Sequence, residues 1–536
     1  MPRLLRSALV LTYMSETMAY CLPTQPCWPS SSEWESLGRV LTGTLTATAT
    51  ENWAECLAAA ADSDAIAIAS SANGICMQDT NCAYEYCDGD NAGKWDLPQV
   101  TAAVADVEDI KSVLSFCNQH NISVTVKTSG HSYAGSSTMK GSLLIWLHNL
   151  TKFGTVGPLT DSCGEVYQDV LKIGGGQPWG DAYLASAAAG RELVGGGGLT
   201  VSAAGGWLMG GGLSALSRKF GYGVDNVLRL EVVTTDAEAI VVDACSHGEL
   251  FWALRGGGGG SFGVVTAAYY RTHEPAPVVT LSMNIDVSTA ERDWWLVGPI
   301  LESWIDFWVE RSPSLSRDWA GGYWTLSSIV VLYYRGPLAE ARATFIEPLE
   351  QWKASLTDWQ QTYVTISVGN HTSFWASRTA ACAVGMPEAG SAACLKYGAT
   401  TDATGNANTN LRSRIVTHEY ATRNGGADAK AALKWMLVNG FFTFNYFLGG
   451  AVNDVAPNAT SVHPSVRASV WNWQVFDPRL VARMEAELPD SGICYNHAGH
   501  DQVVCARSSR GLSRLALTTS PSSPLAPHRP TASLPP

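Results

Sequence analysis

A loop of small polar residues carries a single histidine and follows an alternating apolar stretch. It reads "VKTSGHSYAGSS", Val126 to Ser137, and it comes directly after "NISVTV". Lys127 brings a positive charge, and the residues around it add hydroxyl and backbone donors with little bulk. These small neighbours are Thr128, Ser129, Gly130 and Ser132. The loop is therefore predicted to hold an anionic group, although His131 by itself is more often a hydrogen-bonded loop histidine than a functional one.

Three glycine clusters lie downstream of this loop. They read "VGGGGLTVSAAGGWLMGGG" (194–212), "KFGYGVDNV" (219–227) and "LRGGGGGSFGVV" (254–265). Glycine allows positive φ and close backbone approach, so consecutive amides can converge on a pyrophosphate. Tight turns or close strand crossings would explain any one cluster equally well. None is the dinucleotide motif that opens a helix after a first strand, or the nucleotide phosphate loop, so the functional interpretation is a phosphorylated cofactor held in another way.

Regular elements that could position these loops begin near Pro98. "DVEDIKSVLSFCNQHN" has apolar residues at helical spacing, and "ISVTV" alternates as a strand. Further strands are predicted for "SLLIWL", "LKIGGG" and "GVVTAAYYRTH", and "LRLEVVTTDAEAIVVDA" predicts a hairpin that turns at "TDAEA". Earlier in the chain, "CWPSSSEWESLGRVL" predicts a tied-down turn and a short helix with serine N-caps. The pattern indicates a strand-rich α+β fold.

Composition shifts toward tryptophan after Pro275 and Pro277, where a second domain is expected to begin. "RDWWLVGPILESWIDFWVE" has amphipathic helical spacing, and "GGYWTLSSIVVLYY" predicts a strand. The tryptophans could stack on sugar rings, although core packing is their commoner role. The last residues, 506–536, are rich in Ser, Pro and Arg without any acidic residue, which predicts a disordered tail.

Overall composition narrows the class of partner. The 536 residues are 46% hydrophobic and 15% charged, which is typical of a folded globular chain of two domains. A formal net charge of −13 leaves no broad basic face, so small molecules are favoured over nucleic acid as partners. No stretch beyond the N-terminus is long and apolar enough to predict a membrane span.

Cysteines and the N-terminus predict a secreted glycoprotein. Residues 1–19 resemble a signal peptide cleaved after Ala19. Thirteen cysteines favour disulfides over a zinc site in "CMQDTNCAYEYC", whose spacings are unusual for zinc. The cysteines in the first hundred residues include Cys21, Cys27, Cys76, Cys82 and Cys87. Glycosylation sequons begin at Asn121, Asn149, Asn370 and Asn458.

The histidine loop and the glycine clusters occur in an order and at a spacing that resemble those of one known family. "KTSGHSYAGSST", "GGGGLTVSAAGGWLMGGGLSALSRKFGYGVDNV" and "ELFWALRGGGGGSFGVVTAAYYRTH" resemble the flavin-linked oxidoreductases of the berberine bridge enzyme group, within the vanillyl-alcohol oxidase superfamily. The resemblance covers about Cys27 to Asp501 and is strongest from Val100 to Pro275. It implies an α+β fold with a two-part FAD-binding domain of the PCMH type and a substrate domain whose antiparallel sheet is covered by helices.

The resemblance also implies a division of the chain into segments. They are a cysteine-containing N-terminal segment at 20–97, the FAD-binding domain at 98–275, the substrate domain at 276–470 and a return segment at 471–505. Family members normally continue with a tryptophan-containing turn and a further helix, which this sequence does not have. Either that helix is missing or the predicted gene end is wrong, and we favour the second explanation.

Cofactor contacts follow from the resemblance. In the family, the loop that matches Lys127–Ser132 wraps the FAD pyrophosphate, and its histidine is bonded to the 8α-methyl group of the ring, which implies a covalent link through His131. The usual Arg-Ser-Gly-Gly-His is Lys-Thr-Ser-Gly-His here, so Lys127 replaces a bidentate arginine. A second link through cysteine is common, but Gly198 stands in that place, and one link is expected. The other residues expected at FAD are Gly197, Thr200, Val201, Gly205, Gly206, Gly210, Gly211, Gly212 and Val232.

The implied function is a secreted, monomeric FAD oxidase with a small-molecule substrate and oxygen as partners. It would take a hydride from the CH–OH carbon of a carbohydrate or alcohol and release hydrogen peroxide, since Val201 stands where the family's oxygen-reactive members have valine. The base candidates are Tyr446, His463 and Tyr495. The family's late Tyr-X-Asn-Glu motif would place Cys494 at the tyrosine. The alternatives are a dehydrogenase or oxidative-cyclising enzyme on this scaffold, and a catalytically silent ligand-binding glycoprotein.

Overall fold

The computed structural model describes eleven stretches of the chain: 20–47, 98–132, 137, 139, 141–151, 154–288, 290–385, 412–439, 443–475, 478–488 and 491–492. Within them the chain forms three β-sheets with helices around and between them. Several predictions concern residues outside these stretches. They are the signal peptide at 1–19, Cys76, Cys82 and Cys87 with the zinc alternative, Tyr495, Cys494 and the tail at 506–536.

The helices range from single turns to one of 22 residues. No helix in the described stretches combines the length and apolar composition that crossing a membrane requires. In chain order they are α1 (Ser31–Val40), α2 (Val107–His120), α3 (Trp179–Ala188), α4 (Gly206–Met209), α5 (Ser217–Phe220), α6 (Gly248–Leu254), α7 (Ala290–Arg311), α8 (Leu338–Ala341), α9 (Glu347–Ser355), α10 (Asp358–Gln361), α11 (Phe374–Gly385), α12 (His418–Thr422), α13 (Ala427–Val438) and α14 (Pro478–Glu487).

The first sheet has four strands and presents the histidine loop. Its order is β1-β2-β4-β3, with β2, β4 and β3 parallel and β1 antiparallel to β2. The strands are β1 (Thr44–Ala47), β2 (Val100–Ala103), β3 (Val124–Lys127) and β4 (Leu143–Trp146). The predicted helix before β3 is confirmed as α2. It starts at an N-cap, Asp106, which accepts from Asp109 N, and it ends at Asn121 in a left-handed conformation.

The second sheet has five antiparallel strands in the order β5-β6-β9-β7-β8. They are β5 (Gly157–Thr160), β6 (Val166–Gly174), β7 (Val227–Val233), β8 (Ala239–Asp243) and β9 (Val264–Arg271). The predicted hairpin is confirmed as β7 and β8. The prediction of disulfides is also confirmed, because Cys163 bonds Cys245 in this sheet and Cys21 bonds Cys27 ahead of α1.

The third sheet has seven antiparallel strands in the order β13-β10-β12-β11-β15-β16-β14. They are β10 (Val278–Ile285), β11 (Trp319–Trp324), β12 (Ser328–Arg335), β13 (Val364–His371), β14 (Arg412–Thr417), β15 (Asn445–Phe447) and β16 (Ser469–Val475). The predicted boundary at 275 falls between β9 and β10, whereas the one at 470 falls inside β16. Helices α7, α9 and α13 pack with this sheet around a tryptophan-rich core, so core packing is the role of Trp304, Trp308 and Trp471.

One strand prediction was wrong. "GGYWTLSSIVVLYY" forms two antiparallel strands, β11 and β12, instead of one. The break lies at the polar stretch between them, where Thr325 N donates to Ser328 O over 2.8 Å and the two hydroxyls of these residues lie 2.8 Å apart. Side-chain and backbone bonds of this kind stabilise a turn, so the alternation on either side continues in the opposite direction.

Arg218 joins the second sheet's loops to the third sheet. Its side chain is 3% exposed, its Nε donates to Trp319 O over 2.8 Å, and its Nη1 donates to Leu448 O. Its Nη2 donates to Leu315 O over 2.7 Å. The guanidinium also lies 3.9 Å from the centre of the Phe447 ring. A charge in α5 is thus solvated by carbonyls at the ends of β11 and β15.

A buried ion pair makes a second connection between the same parts. Arg467 Nη1 and Nη2 lie 2.7 and 2.8 Å from the two carboxylate oxygens of Asp225, in the second glycine cluster. Both side chains are buried, at 1% and 7% exposure. Arg467 also donates to Thr460 Oγ1 over 2.8 Å. Because both charges are removed from water, the loss of one partner leaves the other uncompensated.

We expect Arg467→Leu to lower the free energy of unfolding by about 3–5 kcal/mol, because it strands the Asp225 carboxylate in the interior. The melting temperature of the purified protein reports the change. The double variant Asp225→Leu, Arg467→Leu should melt above the single variant, since it removes both charges.

The matched control is Arg317→Leu, which breaks a pair with Asp454 whose side chains are 50% and 56% exposed. It should cost under about 1 kcal/mol. Equal shifts for Arg467→Leu and Arg317→Leu would contradict the assignment of a stabilising role to the buried connection.

Candidate functional site

The histidine loop packs against the first glycine cluster, 69 residues away in the chain. His131 Nε2 lies 3.0 Å from Thr200 Oγ1, and Ser202 N donates to Ser129 Oγ over 3.1 Å. Gly130 between them has a φ of +88°, which favours glycine. The two motifs that the sequence indicates separately therefore form one wall.

Close backbone approach explains why the wall is made of glycine. A Cβ at Gly205 would lie 2.4 Å from Thr128 Oγ1, whereas a Cβ at Gly206 would have no neighbour within 4 Å. The third cluster reaches the same place, because a Cβ at Gly259 would lie 3.2 Å from Gly206 Cα. The three motifs thus meet beside open space at Gly206, bordered by backbone and small side chains, which we call the groove. These residues fit a cofactor with phosphate groups such as FAD.

Lys127 lies in the wall of this groove instead of extending into solvent. Its side chain is 2% exposed, and its Nζ lies 5.3 Å from the centre of the Trp146 ring. Burial lowers the pKa of Lys127 to about 7 because the ammonium loses hydration. The sequence suggests a fixed positive charge at this position, but the charge of Lys127 depends on pH near neutrality.

The remaining predicted FAD residues divide into two groups. Gly197, Gly198, Val201 and Ser132 are half-buried and lie in or beside the walls of the groove. Gly210, Gly211, Gly212 and Val232 are buried. In this second group, two carbonyls accept hydrogen bonds from the second glycine cluster. Gly211 O accepts from Val224 N over 3.1 Å, and Gly212 O accepts from Gly223 N over 2.8 Å. Their contact with FAD stays a prediction.

The peptide from Gly195 to Gly197 is clamped by aromatic side chains. Cβ atoms at Gly195 and at Gly196 would lie 2.5 and 2.9 Å from the ring of Trp179. Tyr183 donates its hydroxyl to Gly196 O over 3.1 Å. This segment leads directly into Gly198, so its position fixes the wall at the place where the first cluster faces the third sheet.

Tyr446 reaches the same wall through a second tyrosine. Tyr446 on β15 is half-buried and lies with its ring centre 4.8 Å from that of Tyr323 on β11, edge to face. A Cβ at Gly197 would lie 2.6 Å from the Tyr323 hydroxyl. Tyr323 also stacks on Phe444 at 5.5 Å. The structure therefore connects Tyr446 to the glycine wall through Tyr323, which sequence reasoning missed, and the role of Tyr446 as base stays a prediction.

His463 is placed differently from Tyr446. Its Nδ1 lies 2.8 Å from Ser465 Oγ and accepts from Ser465 N over 3.2 Å, where it caps the short helix Pro464–Ala468. A Cβ at Gly492 would lie 2.2 Å from His463 Cγ. The ring therefore holds two chain segments together. Tyr495, the third base candidate, lies outside the described stretches.

Arg378 is a further site residue that sequence reasoning missed. It lies on α11 and donates from Nη2 to Gly197 O over 2.7 Å. Burial opposes its charge, but interaction with Tyr333, Tyr183 and Tyr323 outweighs burial and raises the pKa of Arg378. No motif marks this arginine, because "FWASRTAACAVG" resembles an ordinary helix and only the packing of α11 brings Arg378 to the wall.

Comparison with known proteins agrees with this groove. A family model described as an FAD binding domain matches residues 98–243. The FAD-linked oxidoreductase sthB of Phaeosphaeria nodorum is 32% identical over 234 residues, covering 42% of this chain and 73% of that protein. The VAO-type flavoprotein oxidase VAO615 of Thermothelomyces thermophilus is 32% identical over 296 residues, covering 51% of this chain and 50% of that protein.

Solved structures share the fold over a larger part of the chain. The VAO-type flavoprotein MtVAO615 from Myceliophthora thermophila superposes with a TM-score of 0.69 at 24% identity, covering 92% of this chain and 93% of that one. Glucooligosaccharide oxidase from Acremonium strictum, studied for its 6-S-cysteinyl, 8α-N1-histidyl FAD, gives a TM-score of 0.55 at 19% identity, covering 76% of this chain and 84% of that one. In sequence, the chain matches about half the length of several curated relatives.

We expect Gly205→Ala to weaken cofactor retention and to destabilise the protein by about 1–3 kcal/mol, because the new methyl group overlaps Thr128 and separates the two loops. Flavin absorbance per protein and the melting temperature measure both effects. Adding Thr128→Ala to Gly205→Ala should restore part of each loss, since it removes the overlapping Oγ1.

The control is Gly157→Ala in β5, where a Cβ would meet nothing within 4 Å. It should retain flavin and melt as the unaltered protein does. Full flavin retention by Gly205→Ala would show that the two loops do not need this approach.

Proposed function

Because this chain belongs to the berberine bridge enzyme-like, VAO-type FAD-linked oxidoreductases, we propose that it is a secreted oxidase that carries FAD bonded to His131 and oxidises an alcohol or a carbohydrate. The observation that carries the proposal is the meeting of His131 and Thr200, 3.0 Å apart, in a wall that also contacts Tyr323 of β11, on whose ring Tyr446 of β15 packs. The proposed anchor of the cofactor and the proposed base are thereby connected through one wall and Tyr323.

The glycine walls are proposed to hold the cofactor. The loop at 128–132 and the segments at 200–206 and 256–260 supply backbone and small side chains around open space, and Lys127 can supply positive charge from within the wall. FAD bound there would supply the acceptor for a hydride and the means to pass two electrons to oxygen. Thr200 beside His131 would orient the imidazole, as a hydroxyl hydrogen bond fixes the plane of a ring.

Tyr446 is proposed as the base that takes the substrate hydroxyl proton at its phenol oxygen. It stands on β15, which Arg218 anchors through Leu448 O, and its ring packs edge to face on Tyr323. The two rings and Phe444 form an aromatic surface that would exclude water from the reacting carbon. His463 is the weaker candidate, because its Nδ1 is already engaged with Ser465.

Secretion is part of the proposal, and two sets of observations support it. The four sequon asparagines are all exposed, in a helix cap, in loops and on the edge strand β13. They are Asn121, Asn149, Asn370 and Asn458. Two disulfides join described residues, and disulfides persist mainly outside the cytosol. Oxygen as electron acceptor is proposed because Val201 is half-buried in the wall beside Thr200.

We expect flavin to remain with the protein after acid precipitation and washing, because a covalent bond survives unfolding. His131→Ala should release its flavin under the same treatment while its melting temperature shows that it is folded. Visible absorbance of pellet and supernatant is the measurement.

His371→Ala serves as the control, because His371 lies on the edge strand β13 and bonds Thr280 there. It should behave as the unaltered protein does. Flavin set free from the unaltered protein would rule out the covalent link but would leave the proposed oxidation open.

We expect Tyr446→Phe to slow flavin reduction by an alcohol substrate about 10²–10⁴-fold, since general-base assistance contributes on this order. Stopped-flow absorbance measures this step apart from the release of peroxide. The flavin content should not change, because the ring remains and only the hydroxyl is lost.

Tyr363→Phe is the matched control, because Tyr363 packs against Trp359 away from the glycine wall. Its reduction rate should equal that of the unaltered protein. If Tyr446→Phe reduces its flavin at the unaltered rate, the base lies elsewhere.

A further inference from the structure

Arg378 holds a positive charge in the wall of the groove without an ion pair among the described residues. Its two hydrogen-bond partners are Gly197 O, at 2.7 Å from Nη2, and the hydroxyl of Tyr333. A guanidinium has five N–H donors, so the partners that the described residues provide do not use all of them. A half-buried guanidinium with donors to spare has the capacity to bind an anion.

Three other arginines of the described residues are held by strong acceptors that lie outside the candidate site. Arg218 donates to four backbone carbonyls, and Arg467 faces both oxygens of Asp225. Arg229 likewise lies 3.0 Å from Asp243. These three serve the connections between elements. Arg378 differs from them because its carbonyl partner, Gly197, belongs to the candidate site.

The position of Arg378 is set by the start of its helix. Phe374 N, in the first turn of α11, donates to Glu192 Oε1 over 2.9 Å, and Arg335 lies 3.4 Å from the other oxygen of that carboxylate. One turn later, Arg378 meets Gly197. Helix α11 is thus bonded to the segment 192–197 at two points. The guanidinium is therefore in position before a ligand binds.

Aromatic groups surround this charge on the side of the groove. Tyr183, Tyr323 and Tyr333 interact electrostatically with Arg378, and Tyr323 continues to Tyr446 through their edge-to-face contact. Arg378, Tyr323 and Tyr446 are all half-buried, which leaves part of each open to a ligand. The guanidinium of Arg378 is therefore bordered by tyrosine rings. Through Tyr323 these rings connect it to Tyr446, the proposed base.

We propose that Arg378 binds a carboxylate group of the substrate, so that the natural substrate is a small alcohol that also carries a carboxylate. A planar guanidinium edge matches the two oxygens of a carboxylate, and aromatic walls suit an apolar body between the two ends of the molecule. The proposal rests on the proposed function for the site's role in oxidation, but the binding of an anion can be tested without turnover.

The overall charge makes the test discriminating. With a formal net charge of −13, the protein as a whole repels anions, so a preference for an anion requires a local cation. We would titrate the FAD-loaded protein by calorimetry with benzoate and with benzamide, which has the same shape without the charge. Benzoate should bind about tenfold more tightly, as charge-assisted hydrogen bonds in a sheltered site allow.

Variants assign the preference to Arg378. Arg378→Gln, which retains amide donors for Gly197 O, should bind both probes with equal affinity, and Arg378→Lys should keep a reduced preference for benzoate. The exposed Arg317→Gln is the control and should keep the full preference. Equal binding of the two probes by the unaltered protein, or absence of benzoate binding, would overturn the proposal even if Arg378→Gln failed to fold. So would a full preference in a folded Arg378→Gln.

Turnover separates this inference from the proposed function. Peroxide release from hydroxymethylbenzoate with a lower KM than from benzyl alcohol, and loss of that difference in Arg378→Lys or Arg378→Gln, would support both. Peroxide release from both alcohols without a benzoate preference would defeat this inference and leave the oxidase standing. A benzoate preference without peroxide from either alcohol would leave Arg378 as an anion site and count against the oxidase.

Discussion

The solvation of Arg218 by backbone carbonyls is the constraint on which the arrangement of the molecule depends. The residue belongs to a short helix between the glycine clusters, yet its acceptors lie on the third sheet, at Trp319, Leu448, Leu315 and Ser316. A guanidinium that lost these acceptors inside the protein would cost several kcal/mol. Separation of the sheet from the cofactor-binding part is therefore opposed by more than apolar contact.

This constraint explains glycines that have nothing to do with a ligand. Gly450 has a φ of +60°, and a Cβ there would lie 2.4 Å from Arg218 O. Gly321, at +145°, stands against Ala215 O in the same way, at 2.6 Å. Close approach across the junction requires small residues, as close approach at the cofactor groove does. Glycines thus have two roles in this protein, close packing at the junction and close approach at the cofactor groove. Only the contacts of each glycine show which role it has.

Sequence patterns could predict the elements and the histidine loop but not the junction. Helix α2 and the β7–β8 hairpin follow from local spacing and turn chemistry, which act over a few residues. The pairing of β11 with β12 was missed because the turn between them is short and polar without glycine or proline. The meeting of His131 with Thr200 could be inferred only from family resemblance, since nothing local links residues 69 positions apart.

The charge states of the two cations, Lys127 and Arg378, were the hardest feature to predict from sequence, because they depend on burial. Lys127 stands in a motif, and its near-complete burial lowers its pKa to about 7. Arg378 stands in no motif, and its guanidinium keeps its charge despite burial. On the proposed function, the first would charge in response to cofactor phosphate, and the second would present a permanent charge to each incoming substrate. An ammonium and a guanidinium suit these tasks because only the ammonium can lose its proton in the interior.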